Sequence, residues 1–162
     1  MICISLIMTG IYCAKQAKRR VFILERLSSI FSAFGFSAGS GGKDIKSICK
    51  EISMLDKYEC FGFLEDFLSS LYDGCDLCAL WCDCVENARE LSMLKNEEKE
   101  AVKSFSAVFL SLGIEEFFDT CRKFSERFSQ FTVQAQESSD KNQKIFISGS
   151  VLVSAVIFII SF

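Results

Sequence analysis

Apolar side chains recur at helical spacing in the last third of the chain. An aromatic seam is formed by Phe117, Cys121, Phe124, Phe128 and Phe131. Its members are separated by steps of four, three, four and three residues, which aligns them along one face of an α-helix. The charged residues between them fall on the other faces. The pattern predicts one long amphipathic helix over 115–140, with the aromatic seam packed against the rest of the protein.

Earlier segments have the same periodicity. Further helices are predicted over 15–34, 44–53, 62–71, 76–94 and 102–112. We expect helix 102–112 and the long helix to be antiparallel neighbours, joined by a tight turn at Leu112 and Gly113. No run alternates with the period of two that a half-buried strand shows, and the chain has no proline. The predicted fold class is therefore all-α, a bundle of about six helices.

Charged residues are confined to the middle of the chain. All 18 Lys and Arg and all 21 Asp and Glu lie between Lys15 and Lys144. The C-terminal segment 145–162 would form a helix about 27 Å long, close to the thickness of the hydrocarbon layer of a bilayer. We interpret it as a transmembrane helix. The alternative is a core helix, which the rest of the domain would have to cover on every side.

The N-terminal segment 1–14 is also free of charge, but it is shorter than a usual membrane span. Basic residues follow it instead of preceding it, which excludes a secretory signal peptide. We expect a signal anchor or a partial span, which requires local thinning of the bilayer or a start upstream of Met1. Because basic residues flank both apolar segments on their inner sides, the positive-inside rule places residues 15–144 in the cytosol.

Several chemistries are excluded by composition. The chain has no histidine, so it lacks a histidine base and a histidine metal ligand. Its net charge of −3, with no long basic stripe, argues against nucleic-acid binding. Paired carboxylates, such as Glu97 with Glu98 and Glu115 with Glu116, stand at helix starts, where they complement the helix dipole. We therefore predict that the chain is not an enzyme and has no cofactor.

The segment 35–42 is the one cluster of Gly and Ser, and it precedes Lys43. It does not match a phosphate-binding loop, because Ser37 stands where that motif requires glycine and Asp44 replaces the Ser or Thr that follows the lysine. We interpret it as a flexible loop between helices, with Asp44 capping the next helix.

A cysteine cluster is formed by Cys75, Cys78, Cys82 and Cys84. Four thiolates suit zinc, but the spacing puts the first three on one helical face and Cys84 on another, unlike the paired knuckles of zinc ribbons. Buried packing in a reducing cytosol is the favoured interpretation, and a metal or redox site remains the alternative. The same packing role is expected of Cys13, Cys49, Cys60 and Cys121.

The segment that begins at Lys95 reads KNEEKEAVKSFSAVFLSLGIEEFFDT and leads into the long helix, the pair Lys141 and Asn142, and the terminal apolar segment. Together with the basic-flanked N-terminus, these features resemble the stage III sporulation protein AB family of endospore-forming bacteria over nearly the whole chain. Glu116 and Thr120 depart from the Asp and Gln that the family usually shows there.

The resemblance implies a structural platform protein of the mother-cell membrane around the forespore, within the channel complex that links the two cells. It implies a helical domain similar to the cytoplasmic domains of type II secretion platform proteins. The expected partners are a secretion-type ATPase, stage III sporulation protein AA, other membrane proteins of the channel complex, the lipid bilayer and, as an open question, further copies of the chain. The candidate partner-binding residues are Arg122, Lys123 and Arg127, opposite the aromatic seam. The alternative function is a membrane-anchored zinc or redox sensor built on the cysteine cluster.

Overall fold

The computed structural model describes the backbone of residues 2–39, 45–72, 74–110 and 114–160, and most side chains from 12 to 141. Its α-helices are α1 (Ile2–Gly39), α2 (Ile45–Ser53), α3 (Gly62–Ser69), α4 (Leu77–Asn87), α5 (Asn96–Ser104) and α6 (Ile114–Ile160). Short 3₁₀ helices occupy Asp56–Tyr58, Arg89–Leu91 and Phe105–Leu110. These ranges contain no strand, so the predicted all-α class with six helices is confirmed.

The main partner of α6 is α1, and the two helices run antiparallel. Ser28 Oγ donates a hydrogen bond of 2.8 Å to the main-chain oxygen of Ser125. The ring of Phe31 lies 5.7 Å from that of Phe124 and 4.9 Å from that of Phe128, between ring centroids. The segment before α6 also contacts it, but much less extensively. The pairing expected between the segment 102–112 and the long helix is therefore a minor contact. The main contact of α6 is with α1, from the other end of the chain.

Gly35 allows α1 and α6 to approach closely. A Cβ atom at position 35 would lie 3.1 Å from the Cβ of Cys121, which is tighter than ordinary van der Waals contact. Cys121 is fully buried, and this burial raises the pKa of its thiol to about 12. The thiol therefore stays protonated at neutral pH and serves as a small apolar group.

The aromatic seam faces the core as predicted. Its members Phe117, Cys121, Phe128 and Phe131 are buried, and Phe124 is half-buried. The buried face continues to Ala135 and Ser139, and the helix itself runs beyond the predicted end at residue 140 to Ile160. Opposite the seam, α1 contributes a matching row of buried side chains: Ile23, Leu24, Leu27, Ile30, Phe31 and Phe34.

Trp81 of α4 is completely buried at the meeting point of several helices. Its ring centroid lies 5.4–6.3 Å from those of Phe34, Phe63, Phe67, Phe105 and Phe109. The indole Nε1 donates a 2.8 Å hydrogen bond to the main-chain oxygen of Val102, so the polar atom is satisfied within the core. One residue thus connects α1, α3, α4, α5 and the 3₁₀ helix at Phe105–Leu110.

Several predicted boundaries are wrong. The helix expected over 102–112 is instead the end of α5, which stops at Ser104, and the 3₁₀ helix Phe105–Leu110 that follows it. The helix expected over 76–94 ends at Asn87, because Ala88 is extended (φ −66°, ψ 111°) and a 3₁₀ helix follows. The loop expected over 35–42 is helical up to Gly39. Lys43, Asp44 and the predicted turn at 112–113 lie outside the described residues.

One described helix, the Tyr12–Ala38 part of α1, is long and apolar enough to cross a membrane. However, 44% of its most apolar window is buried in the protein, so much of this apolarity is used in the core. It is not the short span expected at 1–14, of which residues 2–14 form the first part of α1. The segment 145–162 is helical as far as Ile160, but its side chains lie outside the described ones.

Phe128→Ala tests the packing of the two long helices. Phe128 is fully buried between rings of α1 and α6, so its truncation should lower the free energy of unfolding by about 3–5 kcal/mol. Phe36→Ala is the control. Because Phe36 is 74% exposed, its truncation should lower the free energy of unfolding by under about 1 kcal/mol. Urea unfolding of the full chain in mild detergent, followed by circular dichroism, measures both. Equal losses in the two variants would contradict the assigned face of α6.

Candidate functional sites

Arg20 and Glu98 form a buried ion pair between α1 and α5. Arg20 Nε donates a 3.0 Å hydrogen bond to Glu98 Oε2, and Arg20 Nη2 contacts Glu98 Oε1. Glu98 is only 2% exposed. Its Oε2 also accepts a 2.8 Å hydrogen bond from the main-chain N–H of Lys95, at the start of α5. The carboxylate therefore caps one helix and neutralises a cation of another.

Sequence reasoning placed Glu98 at a helix start, where it complements the helix dipole, but missed its partner Arg20. A signal was present, because Arg20 precedes the buried residues Ile23, Leu24 and Leu27 at steps of three, four and seven. This spacing puts Arg20 on the core face of α1, where a charge needs a partner.

The structure separates the members of the cysteine cluster. Cys78 Sγ lies 3.4 Å from the main-chain oxygen of Ser106, and Cys82 Sγ lies 3.9 Å from that of Lys103, so these two thiols face one side of α4 as predicted. Cys75 precedes the helix, whose N-cap is Asp76. Within the described part of the chain, no three Cys, Asp or Glu residues are grouped to hold a metal ion.

Cys84 lies elsewhere on α4. Burial raises the pKa of its thiol, and the nearby carboxylates of Asp66 and Asp83 raise it further. All four thiols of the cluster are half-buried. Of the other cysteines, Cys49 and Cys121 are buried as expected, but the expectation is wrong for the exposed Cys13 and Cys60.

The candidate partner-binding residues Arg122, Lys123 and Arg127 are all exposed on α6. Arg122 forms ion pairs with Asp119 (3.3 Å) and Glu126 (3.5 Å) on the same helix. The guanidinium carbon of Arg127 lies 5.4 Å from the ring centroid of Phe131, a distance typical of a cation–π contact. These contacts hold two of the three side chains along the helix surface and leave the patch accessible.

A second charged cluster joins α4 to α5. Glu86 accepts from Lys99 (3.0 Å) and Lys103 (2.7 Å), and Lys103 also contacts Glu100 at 2.8 Å. The hydrogen bonds from Lys103 and Lys99 lower the pKa of the Glu86 carboxyl. Since the cluster is open to solvent, it adds little to stability and chiefly orients the two helices.

The family model described as stage III sporulation protein AB matches residues 1–162, the whole chain. The chain belongs to the stage III sporulation protein AB family. Comparison with curated proteins and with solved structures found no significant match. Family membership thus associates this helical bundle with stage III of sporulation, as the sequence resemblance implies.

The Arg20–Glu98 pair makes a measurable prediction. Glu98→Leu should lower the free energy of unfolding by about 3 kcal/mol, because it leaves the Arg20 cation and the Lys95 N–H without their acceptor. The exposed neighbour Glu97 offers the control, and Glu97→Leu should change stability by under about 0.5 kcal/mol.

A double-mutant cycle separates the ion pair from the cap. Arg20→Leu should cost much less in the Glu98→Leu background than in the native chain, because the carboxylate is then no longer left buried and unpaired. Additive losses in chemical unfolding would show that the two charges do not interact.

Proposed function

We propose that this protein is a non-enzymatic, membrane-anchored platform component of the channel complex that links mother cell and forespore during endospore formation. The observation that carries the proposal is the match of the AB family to the entire chain. The absence of histidine from the sequence and the helical packing are compatible with a structural role.

The antiparallel pairing of α1 and α6 supports a hairpin anchor. Because α1 and α6 run antiparallel, the N-terminal end of α1 at Ile2 and the C-terminal end of α6 at Ile160 point in the same direction. The charge-free segments 1–14 and 145–162 therefore leave the bundle at the same end. In this proposal they enter the membrane side by side, and residues 15–144 form the domain outside it.

The proposed orientation places the domain in the mother-cell cytosol, with the anchor in the outer forespore membrane. Its support is the position of the basic residues, which follow the first apolar segment and precede the second. A hairpin brings both basic flanks to the same membrane surface, so the positive-inside rule gives the same cytosolic orientation for each flank.

The proposed cytosolic partner is the secretion-type ATPase, stage III sporulation protein AA, bound to the solvent-facing side of α6. Arg122, Lys123 and Arg127 are exposed on α6 outside the seam that α1 covers, and Arg127 reaches the ring of the seam member Phe131. This face carries charges of both signs, since Asp119 and Glu126 pair with Arg122, and such a charged face on a rigid helix suits a charge-complementary surface of a partner. Other membrane proteins of the channel complex would contact the anchor and the remaining faces.

The alternative function, a zinc or redox sensor, would require the four thiols of the cysteine cluster to converge. Instead, Cys78 and Cys82 lie against Ser106 and Lys103, and Cys84 lies near Asp66. The described geometry gives this alternative no support.

Co-purification of the ATPase with the full chain from sporulating cells tests the platform proposal. Reversing the patch with Arg122→Glu, Lys123→Glu and Arg127→Glu should lower ATPase recovery at least about tenfold, because like charges facing each other in an interface cost several kcal/mol. The matched control is Lys46→Glu, Lys50→Glu and Arg89→Glu, which changes the net charge equally at exposed positions of other elements. Recovery unaffected by the first variant, or lost equally in both, would overturn the docking face; no recovery with the native chain would overturn the partner.

A further inference from the structure

Exposed cations lie on both members of the helix pair, at the end of the bundle where the charge-free segments begin. We name this group the basic collar. It comprises Lys15, Lys18 and Arg19 of α1 and Lys141 of α6, all of them exposed. Arg20 is not included, because its guanidinium is engaged with Glu98.

The register of α1 and α6 places both parts of the basic collar at the same position along the axis of the helix pair, which we call its height. Ser28 lies opposite Ser125, and Gly35 lies opposite Cys121. Since the helices are antiparallel and have the same rise per residue, Lys15 falls opposite a position near residue 138, about one turn from Lys141. The burial of Ser139, which is only 8% exposed, shows that α6 is still covered at this height.

Acidic side chains at this height do not cancel the positive charge of the basic collar. Glu137 and Asp140 are the acidic residues of α6 near Lys141, and Asp140 accepts a 3.2 Å hydrogen bond from Gln136. On α1, the stretch 12–20 contains basic residues and no acidic one. A cationic excess therefore remains on the α1 side of the pair.

The sequence becomes free of charge just N-terminal to the basic collar. Tyr12 is 63% exposed, and its hydroxyl accepts a 2.7 Å hydrogen bond from Gln16 Nε2. Residues 1–11 carry no charged side chain. A tyrosine between a basic segment and an apolar one is the order typical of the interface between lipid headgroups and hydrocarbon.

The remainder of the chain has the opposite charge. The net charge is −3 even though the collar is basic, so the body of the bundle between 21 and 136 is strongly acidic. A long polyanion such as nucleic acid would be repelled by that body, whereas a flat anionic surface can meet the collar alone. An anionic membrane surface is thus the ligand that this charge distribution favours.

We propose that the basic collar binds the phosphate headgroups of anionic phospholipids and so sets the depth and orientation of the bundle on the membrane. The inference rests on the proposed membrane anchoring and adds the class of lipid. Each cation near an anionic surface strengthens binding by roughly fivefold, so three of them together amount to about 100-fold at low salt.

Native mass spectrometry of the full chain in neutral detergent micelles tests the collar. Phosphatidylglycerol or phosphatidylcholine is titrated into the micelles, and the lipids retained per chain give an apparent Kd for each. The native chain should prefer phosphatidylglycerol, and Lys15→Gln, Lys18→Gln and Arg19→Gln together should remove most of that preference. The preference should also fall as salt is added.

The control is Lys46→Gln, Lys50→Gln and Arg89→Gln, which removes the same charge from exposed positions of other elements away from the collar and should leave the preference unchanged. A native chain without preference, or an equal loss in both triple variants, would overturn the proposal. Tighter binding of a duplex DNA than of phosphatidylglycerol, abolished by the collar substitutions, would assign the collar to nucleic acid instead. Carbonate-resistant association with vesicles, measured separately, reports anchoring, so failure of the anchor is distinguished from failure of the collar.

Discussion

The antiparallel packing of α1 against α6 is the constraint on which the rest of the structure depends. It joins the two ends of the chain, and the approach of Gly35 to Cys121 and the ring contacts of Phe31 with Phe128 fix its register. The shorter helices then pack beside this contact, where Phe31 and Phe34 both meet the ring of Phe105 and Phe34 also reaches the ring of Trp81. Without this pair, the short helices would have no common surface to pack on, since helices of 8–11 residues are marginal alone.

Polar contacts refine this packing at one end. The Arg20–Glu98 pair attaches the start of α5 to α1 at the residue that directly follows Arg19 of the basic collar. A buried charge pair adds little net stability, but it penalises any arrangement in which either charge is buried alone. In the proposed function, this contact holds the bundle in a fixed relation to the hairpin anchor, so that a docked ATPase would act on a rigid unit.

Local periodicity predicted the all-α class, the aromatic seam and α2, because burial of one helical face leaves a repeat in the sequence. The pairing of α1 with α6 leaves no such repeat, since any apolar helix face can pack on another. The end of α4 before Ala88 is not marked by a Gly or Pro, so the sequence pattern does not predict it. Of the candidate sites, the exposure of Arg122, Lys123 and Arg127 followed from the seam. The ion pair of Arg20 and the separation of Cys84 from Cys78 depend on tertiary contacts, which spacing alone does not encode.

An engineered disulfide measures the helix pairing most directly. Ser28 Oγ and Ser125 Oγ lie 3.3 Å apart, so Ser28→Cys with Ser125→Cys brings two thiols within bonding reach. Under mild oxidation of the full chain, peptide mass spectrometry should find the 28–125 link in most molecules. Ser28→Cys with Ser129→Cys, one turn further along α6, should give little of its own link. A 28–129 link that forms as readily, or no 28–125 link in the folded chain, would contradict the antiparallel register.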